Sequence, residues 1–271
     1  MQNRLQTPVA LTIAGSDSGG GAGIQADLKT FASLGVHGTS AITCLTAQNP
    51  TAITAIQPCS PEIVRKQIEA LFAELPPAAV KTGMLLTPQI IRTVASFFQG
   101  KKRPPLIIDP VMIATSGRCL LRASGMKVLQ KELLPLATLI TPNLDEARSL
   151  SGLRIESPED MRMAARRLHS QFGCAVLVKG GHLRGGTEAI DIFFDGRTEL
   201  LLKAAFIRGL RTHGTGCTYS AAITAHLARR ADLPSAVRLA KEYITQALAR
   251  SYRVGSHGVL NHGYASASLR R

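Results

Sequence analysis

The chain contains VALTIAGSDSGGGAG at residues 9–23, followed by IQADLKTFASL at 24–34. The apolar residues 9–14 predict a buried strand, and residues 15–23 predict a loop, because so many glycines suit no regular element. Apolar residues at helical spacing over 24–34 predict a helix. The loop could hold a phosphate, but Ile24 stands where the last glycine of the dinucleotide-binding pattern falls, and the P-loop pattern is absent. The order of strand, glycine loop and helix is typical of α/β folds.

The same alternation continues along the chain. Predicted strands lie at 38–45, 53–58, 79–82, 106–108, 139–141 and 175–178, and predicted helices lie at 61–74, 88–98, 216–230 and 234–252. Strands that are apolar throughout and separated by amphipathic helices favour a mostly parallel sheet covered on both faces. Residues 189–194 and 200–204, joined by a turn-like Asp-Gly-Arg spacer, predict an antiparallel hairpin at one edge.

The composition limits the class of protein. With 271 residues, of which 45% are hydrophobic, the chain can bury one large core, and we expect a single domain over 1–271. The formal net charge of +14 would suit a polyanion, but the basic residues are scattered and only 4% of the residues are aromatic. No apolar run has membrane-spanning length, and no cleavable leader is evident. We therefore expect a soluble cytoplasmic protein that binds neither nucleic acid nor a membrane.

The cysteines give no sign of a disulfide framework or of a zinc site. Their number is odd, and no two of them form a Cys-x-x-Cys pair, which agrees with a reducing compartment. The five are Cys44, Cys59, Cys119, Cys174 and Cys217.

The segment HGTGCT at 213–218 opens the predicted helix at 216–230. Gly214 and Gly216 around Thr215 allow backbone N–H groups to point outward at the positive end of a helix dipole, where an anion is stabilised. The alternative is a simple turn in which Thr215 or Thr218 caps the helix. The local pattern leaves both interpretations open.

Polar residues interrupt the apolar chain where the predicted strands end. The ligand crevice of an open parallel sheet lies beyond these ends. Asp109 alone could begin a turn, and Glu146 alone could complement a helix dipole. Together with Lys179 and the glycine turn, they supply what phosphoryl transfer needs: acidic oxygens for Mg²⁺, a cation and backbone donors. The polar groups are the 15–23 loop, Gln48, Asn49, residues 81–84, Asp109, Asn143, Glu146, Lys179 and residues 214–217.

Eight segments taken together resemble the hydroxymethylpyrimidine and phosphomethylpyrimidine kinases of thiamine biosynthesis, members of the ribokinase superfamily. The resemblance runs in order from about Ile13 to the helix after Cys217. The segments are IAGSD (13–17), GGAGIQAD (20–27), LTAQN (45–49), KTGML (81–85), DPVM (109–112), TPNLDEA (141–147), VKGGH (178–182) and HGTGC (213–217).

The resemblance implies a ribokinase-like three-layer fold, a homodimer, and the use of ATP with Mg²⁺. It also implies two successive phosphorylations. The first is of 4-amino-5-hydroxymethyl-2-methylpyrimidine at its hydroxymethyl group, and the second converts the monophosphate to the diphosphate.

The resemblance further implies roles for individual residues. Asp109 and Glu146 would hold magnesium, and Lys179 and Asn143 would contact the ATP phosphates. Asp191 is interpreted as an edge-strand polar residue, His213 as a residue that shapes the turn, and His182 as a loop cap. The pyrimidine pocket would consist of Gly15, Ala22, Asp27, Gln48, Met84 and Val111.

Cys217 occupies the position at which ribokinase-like enzymes generally carry an aspartate that acts as a base. A thiol at a helix N-terminus, near a lysine and Mg²⁺, is expected to have a lowered pKa. We therefore predict that Cys217, together with Gly214, Thr215 and Gly216, forms the catalytic turn and assists the first phosphorylation. The alternative is that Cys217 is only a small residue at the start of a helix.

Two other functions are compatible with the pattern. A pyridoxal or pyridoxine kinase of the same superfamily would act on a similar heteroaromatic ring bearing a hydroxymethyl group. A non-catalytic ligand-binding protein on the same scaffold would be expected to lack Asp109, Glu146, Lys179 or the glycine turn, and all of these are present.

Overall fold

A computed structural model of the chain describes residues 7–100, 103–113, 120–181, 183, 188–207 and 213–264. The prediction for His182 lies outside these ranges, as does Cys119. Within the described ranges, no helix combines the length and the apolar character needed to cross a membrane.

The strands and helices alternate as predicted. The strands are β1 (Val9–Asp17), β2 (His37–Gln48), β3 (Ile53–Pro58), β4 (Ala79–Thr82), β5 (Leu106–Ile108), β6 (Leu139–Ile140), β7 (Ala175–Lys179), β8 (Glu188–Phe194), β9 (Glu199–Ala205), β10 (Tyr252–Val254) and β11 (His257–Val259). The helices are α1 (Gly23–Ser33), α2 (Pro61–Glu74), α3 (Pro88–Phe98), α4 (Ala123–Val128), α5 (Leu144–Ser151), α6 (Pro158–Phe172), α7 (Thr215–Ala228) and α8 (Leu233–Ala249).

Nine strands form one sheet in the order β3-β2-β1-β4-β5-β6-β7-β8-β9. The six adjacent strands β2, β1, β4, β5, β6 and β7 are parallel to one another. Strand β3 is antiparallel to β2, and β8 is antiparallel to both β7 and β9. From β1 the chain first builds one side of the sheet and then returns to build the other side from β4. The carboxyl ends of β1 and β4 therefore flank the switch point, where α/β proteins bind their ligands.

Helices cover both faces of the sheet, which gives three layers. Helices α2 to α6 pack on one face and α1, α7 and α8 on the other. Neighbouring strand residues alternate between the two cores, since Leu11 belongs to the first and Ala10 to the second. The predicted α/β class, with helices on both faces and an antiparallel edge hairpin, is confirmed.

Several helices begin where the sequence places a cap residue before a proline. The side chains of Ser60, Thr87 and Ser157 each accept a hydrogen bond from the N–H three residues on, and a proline follows each directly. The cap satisfies an otherwise unpaired donor, and the proline removes another. This local chemistry explains why the predicted starts of α2 and α3 are confirmed.

Three predicted boundaries are wrong by three residues each. Strand β2 ends at Gln48 and not at residue 45, because residues 45–48 pair with β3. The chain does not leave the sheet at Gly15, because Ser16 and Asp17 pair with Leu45 and Thr46 after a shift of register at Gly15. Helix α8 ends at Ala249 and not at residue 252, because β10 pairs with β11 as a small hairpin. Pairing with a neighbouring segment overrides the local preference in all three places.

Candidate active site

The carboxyl ends of the parallel strands bring the predicted polar groups to one edge of the sheet. Asp109 follows β5 directly, and Lys179 ends β7. The N-terminus of α7 meets both of them: a Cβ atom added to Gly216 would lie 3.2 Å from Lys179 Nζ and 3.7 Å from Asp109 Oδ2. The structure therefore brings the glycine turn, the acid and the cation together.

The turn before α7 packs tightly against the glycine-rich loop after β1. Gly214 has a φ of +87°, and a Cβ atom added there would lie 1.8 Å from the carbonyl oxygen of Gly21, so only glycine fits. The N-cap of α7 is Gly214, which has no side chain, and the Thr218 hydroxyl lies 2.9 Å from His262 Nε2. A helix N-terminus that begins at a glycine agrees with an anion site, which stays a prediction.

Asp17 organises the glycine-rich loop. Its Oδ1 accepts a hydrogen bond from the N–H of Gly19 (2.8 Å), and its Oδ2 accepts from those of Gly21 (3.1 Å) and Ala22 (2.8 Å). Burial would raise the pKa of Asp17, but hydrogen bonds from His213 and from the loop backbone hold it below its usual value. These three backbone donors bind a carboxylate of the protein itself, which accounts for the glycines without a bound phosphate.

Asp109 and Lys179 form an ion pair at the bottom of the crevice. Lys179 Nζ lies 2.8 Å from Asp109 Oδ1, and the Thr141 hydroxyl donates to the same oxygen at 3.1 Å. Burial would raise the pKa of Asp109, but the charges of Lys179 and Lys81 outweigh it and lower the pKa. Asp109 is therefore anionic at neutral pH, as a carboxylate that binds a cation must be.

Asn143 and Glu146 form a reciprocal cap at the start of α5. Asn143 Oδ1 accepts from the N–H of Glu146 at 2.9 Å, and Glu146 Oε2 accepts from the N–H of Asn143 at 2.8 Å. Burial raises the pKa of Glu146. Helix capping therefore accounts for this Asn-x-x-Glu motif, and the roles of the pair toward ATP and magnesium stay predictions.

The donor set suits magnesium better than a transition metal. Within the described part of the chain, no three side chains of His, Cys, Asp or Glu gather to form a metal site. Magnesium needs no such group, because it commonly keeps several waters and binds through one or two carboxylates and substrate phosphates. Glu146 Oε1 accepts a hydrogen bond from the N–H of Met112 at 3.4 Å, three residues after Asp109, so both carboxylates belong to the same end of the sheet.

Part of the predicted pyrimidine pocket lies together at the ends of β1, β2 and β4. A Cβ atom on Gly15 would lie 3.7 Å from Met84 Sδ and 2.7 Å from Cys44 Sγ, so a side chain at residue 15 would fill this space. Gln48 ends β2, and Val111 lies in the tight turn after Asp109. Ala22 lies in the glycine-rich loop and is buried.

Asp27, the remaining residue of the predicted pyrimidine pocket, has two polar partners inside the protein. Its side chain is fully buried, with Oδ1 2.6 Å from Lys81 Nζ and Oδ2 2.6 Å from the Thr12 hydroxyl. Burial opposes the charge on Lys81, but Asp27, Cys217 and Asp109 outweigh it and raise the pKa of Lys81. A buried ion pair thus supports the floor of the site from below.

Cys217 lies in the first turn of α7, as predicted, but its thiol is less acidic than predicted. Burial raises its pKa to about 11, and the nearby charge of Lys81 only partly offsets this effect. The lowering of the pKa expected from the helix N-terminus and the lysine is therefore absent. Desolvation of the buried thiol is the larger effect.

Two further predicted residues have clear structural partners. Asp191 accepts from the N–H of Gly180 at 2.9 Å and pairs with Lys241 Nζ at 2.7 Å, so it fixes the loop after β7 to α8. It is buried, which makes it more than an edge-strand polar residue. His213 Nε2 lies 2.6 Å from Gln48 Nε2 and 3.2 Å from Asp17 Oδ2. His213 therefore connects the glycine turn before α7 to the ends of β2 and β1.

Asp17 and Lys81 lie in segments predicted at the crevice, but neither has an individual predicted role, although both carry a recognisable signal. An aspartate two residues before a glycine commonly accepts the N–H of that glycine. A lysine in an otherwise apolar strand needs a buried partner, because lysine is almost never fully buried alone. The first signal is local, whereas the second does not identify which acid is the partner.

Known proteins match the chain over nearly its whole length. A family model described as phosphomethylpyrimidine kinase matches residues 17–261. A hydroxymethylpyrimidine/phosphomethylpyrimidine kinase of Synechococcus elongatus is 46% identical over 264 residues, which cover 96% of this chain and 99% of that protein.

Solved structures of related kinases share the fold. A Bacillus subtilis pyridoxal kinase in complex with ADP superimposes with a TM-score of 0.87 at 38% identity, covering 98% of this chain and 99% of that one. A phosphomethylpyrimidine kinase from Clostridium difficile gives a TM-score of 0.79 at 42% identity, covering 89% of this chain and 99% of that one.

Fold and site together define an ATP-dependent phosphotransferase of the ribokinase-like class, which acts on a small molecule. Within that class the match is more specific. The chain belongs to the phosphomethylpyrimidine kinase family.

Proposed function

We propose that this enzyme transfers phosphoryl groups from ATP to 4-amino-5-hydroxymethyl-2-methylpyrimidine and then to its monophosphate, in thiamine biosynthesis. Membership of the family supports both steps. The observation that carries the proposal is the meeting of Gly216, Lys179 and Asp109 at the N-terminus of α7. This arrangement places backbone donors and a cation where negative charge develops in phosphoryl transfer.

Some of the charged and polar residues contact the nucleotide, and others hold the metal ion. Lys179 and Asn143 contact the ATP phosphates, and Lys179 has the advantage that its neighbours Asp109 and Glu146 hold it in the charged form. Asp109 and Glu146 would hold magnesium, which would supply positive charge to neutralise the phosphates. The N–H groups of the 214–216 turn bind the phosphoryl group during its transfer from ATP to the acceptor.

Cys217 takes the proton of the substrate hydroxyl in the first step. Only the thiolate can accept that proton, and the charges of Lys81 and Lys179 both interact with the sulfur. The second step has an anionic phosphate as its acceptor and does not need this base. The alternative remains that Cys217 is a small residue at the start of α7 and that positioning does most of the work.

The pyrimidine lies among Gly15, Met84 and Val111, with Gln48 at its polar edge. Gly15 allows the backbone to approach the ring closely, and the Met84 thioether offers it a soft apolar surface. Gln48 can both donate and accept, as an aminopyrimidine edge requires. Asp27 contributes from below by holding Lys81.

A pyridoxal kinase is the second candidate function. The specific observation in its favour is the TM-score of 0.87 with the Bacillus subtilis pyridoxal kinase. Pyridoxal is also a small heteroaromatic ring with a hydroxymethyl group, so the same pocket residues would contact it.

Initial rates of ADP formation with each alcohol separate the two functions. We expect kcat/KM for the aminopyrimidine alcohol to exceed that for pyridoxal by at least about tenfold, because one well-placed hydrogen bond contributes roughly that factor. A clear preference for pyridoxal would make the second candidate the better assignment. Absence of turnover with either ring would contradict both.

A homodimer is expected as well, and sedimentation equilibrium tests it.

A further inference from the structure

One ring nitrogen of His213 lies between the predicted pyrimidine pocket and the glycine-rich loop. His213 Nε2 is 2.6 Å from Gln48 Nε2 and 3.2 Å from Asp17 Oδ2. Gln48 ends β2, Asp17 ends β1, and His213 directly precedes the glycine turn of α7. The imidazole therefore contacts both Gln48, which is proposed to bind the polar edge of the substrate ring, and Asp17, whose carboxylate accepts hydrogen bonds from the backbone of the loop.

The contact with Asp17 determines where the imidazole proton lies. Asp17 accepts three backbone N–H groups, so its carboxylate is ionised and can only accept. A ring nitrogen in contact with such an oxygen must carry a hydrogen. His213 Nε2 is therefore a donor, and the Gln48 atom in contact with it must be an acceptor.

The amide of Gln48 must accordingly present its oxygen, and not its nitrogen, to His213. The two ends of an amide have nearly the same shape, so their assignment follows from the hydrogen-bond network. With Oε1 toward His213, the Nε2–H of His213 is shared between Gln48 and Asp17. The nitrogen of the amide then points to the position 3.3 Å from the Thr46 hydroxyl.

Thr46 requires the same orientation for an independent reason. Its hydroxyl lies 2.9 Å from the carbonyl oxygen of Ser16, which can only accept, so the single hydroxyl proton is used there. Thr46 Oγ1 can then only accept from Gln48. An amide nitrogen satisfies this contact, whereas an amide oxygen would not.

We propose that His213 is a positioning residue that fixes the orientation of the Gln48 amide, so that the pocket selects a 4-amino ring over its 4-oxo counterpart. This inference rests on the proposed function. A 4-aminopyrimidine presents a donor beside a ring-nitrogen acceptor, whereas the 4-oxo ring presents an acceptor beside an N–H donor. A fixed amide matches one order only, and an amide that is free to turn matches both.

The test compares 4-amino-5-hydroxymethyl-2-methylpyrimidine with its 4-oxo analogue as phosphoryl acceptors. The ratio of the two kcat/KM values is measured for the wild-type enzyme, for His213→Leu and for His213→Gln. We expect His213→Leu to lower the ratio at least about tenfold, since it removes the N–H that orients Gln48. We expect His213→Gln, whose amide nitrogen replaces Nε2–H, to restore most of it.

A role limited to shaping the turn would slow both substrates equally and leave the ratio unchanged, which would overturn the proposal. Thr46→Val removes the other orienting contact without altering the turn, so it must lower the ratio too, even where His213→Leu fails to fold. An unchanged ratio in Thr46→Val would contradict the proposal independently. Failure of the wild-type enzyme to phosphorylate the 4-amino ring would instead overturn the proposed function, and this role with it.

Discussion

At the residue scale, the protonation of Cys217 determines whether the first phosphorylation has a base within the protein. Burial raises the pKa of the thiol to about 11, so at neutral pH the free enzyme holds it mostly protonated. Below that pKa, the thiolate fraction rises about tenfold for each pH unit. The base role therefore has a direct signature in the pH dependence of the reaction.

We expect kcat/KM for the pyrimidine alcohol to rise with pH between about 7 and 10, because kcat/KM reports the ionisation of the free enzyme. The value for the monophosphate, whose acceptor is already anionic, should lack this rise. Cys217→Ala should remove the rise for the alcohol. Matching profiles for the two substrates, or an unchanged profile in Cys217→Ala, would leave Cys217 as a small residue at the start of α7.

The buried pair of Asp27 and Lys81 leads to a prediction on stability. Lys81→Met should lower the free energy of unfolding by about 3–5 kcal/mol, because it leaves a buried carboxylate without its partner. Lys66→Met is the matched control, since Lys66 pairs with Glu62 on the surface of α2, and exposed pairs contribute at most about 1 kcal/mol. Chemical denaturation measures both. Equal losses in the two variants would contradict the structural importance assigned to the buried pair.

At the element scale, the N-terminus of α7 depends on its contact with the glycine-rich loop. Gly214→Ala places a Cβ atom 1.8 Å from the Gly21 carbonyl oxygen, and neither backbone can move away without displacing the turn. We expect kcat to fall at least about 100-fold, because a displacement of about 1 Å at a reacting centre has an effect of this size.

Gly173→Ala is the control for the turn. Gly173 has a φ of +70°, similar to the +87° of Gly214, but an added Cβ atom there would meet nothing within 4 Å. Its expected cost is backbone strain of about 1 kcal/mol in stability, with near-normal kcat. Comparable kcat losses in the two variants would show that positive φ, and not the contact between turn and loop, limits activity.

The sequence was sufficient to predict the bounds of elements whose ends have a local chemical signal, such as a cap residue before a proline. Helices α2 and α3 start at a cap residue followed by proline, and their predicted bounds match the structure. The end of β1 could not be predicted in this way, because pairing with β2 holds Ser16 and Asp17 in the sheet. The glycines alone predict a loop there.

The candidate site was predictable in part for the same reason. Asp109 and Lys179 follow apolar strands, so the sheet geometry brings them together as expected. The burial of Asp27 was not predictable, since Lys81 lies 54 residues away in the sequence. The Asn143 and Glu146 motif fits both a helix cap and a metal site, so its residue types alone could not decide.

At the scale of the whole molecule, the candidate site residues come from distant parts of the chain and lie at one edge of the sheet. The strand order places the carboxyl ends of β1 and β4 at the switch point, and α7 adds its N-terminus from the layer above. The net charge of +14 is compatible with anionic substrates such as nucleotides and phosphorylated rings. The residues proposed for substrate binding, nucleotide binding and phosphoryl transfer therefore come from this one edge of the sheet.

The most direct test follows the products of the reaction by mass. The enzyme is incubated with MgATP and 4-amino-5-hydroxymethyl-2-methylpyrimidine, and samples are taken over time, with Asp109→Asn as the control. We predict that the monophosphate appears first and the diphosphate later, and that both are strongly reduced in Asp109→Asn. Formation of neither product by the wild-type enzyme would contradict the account.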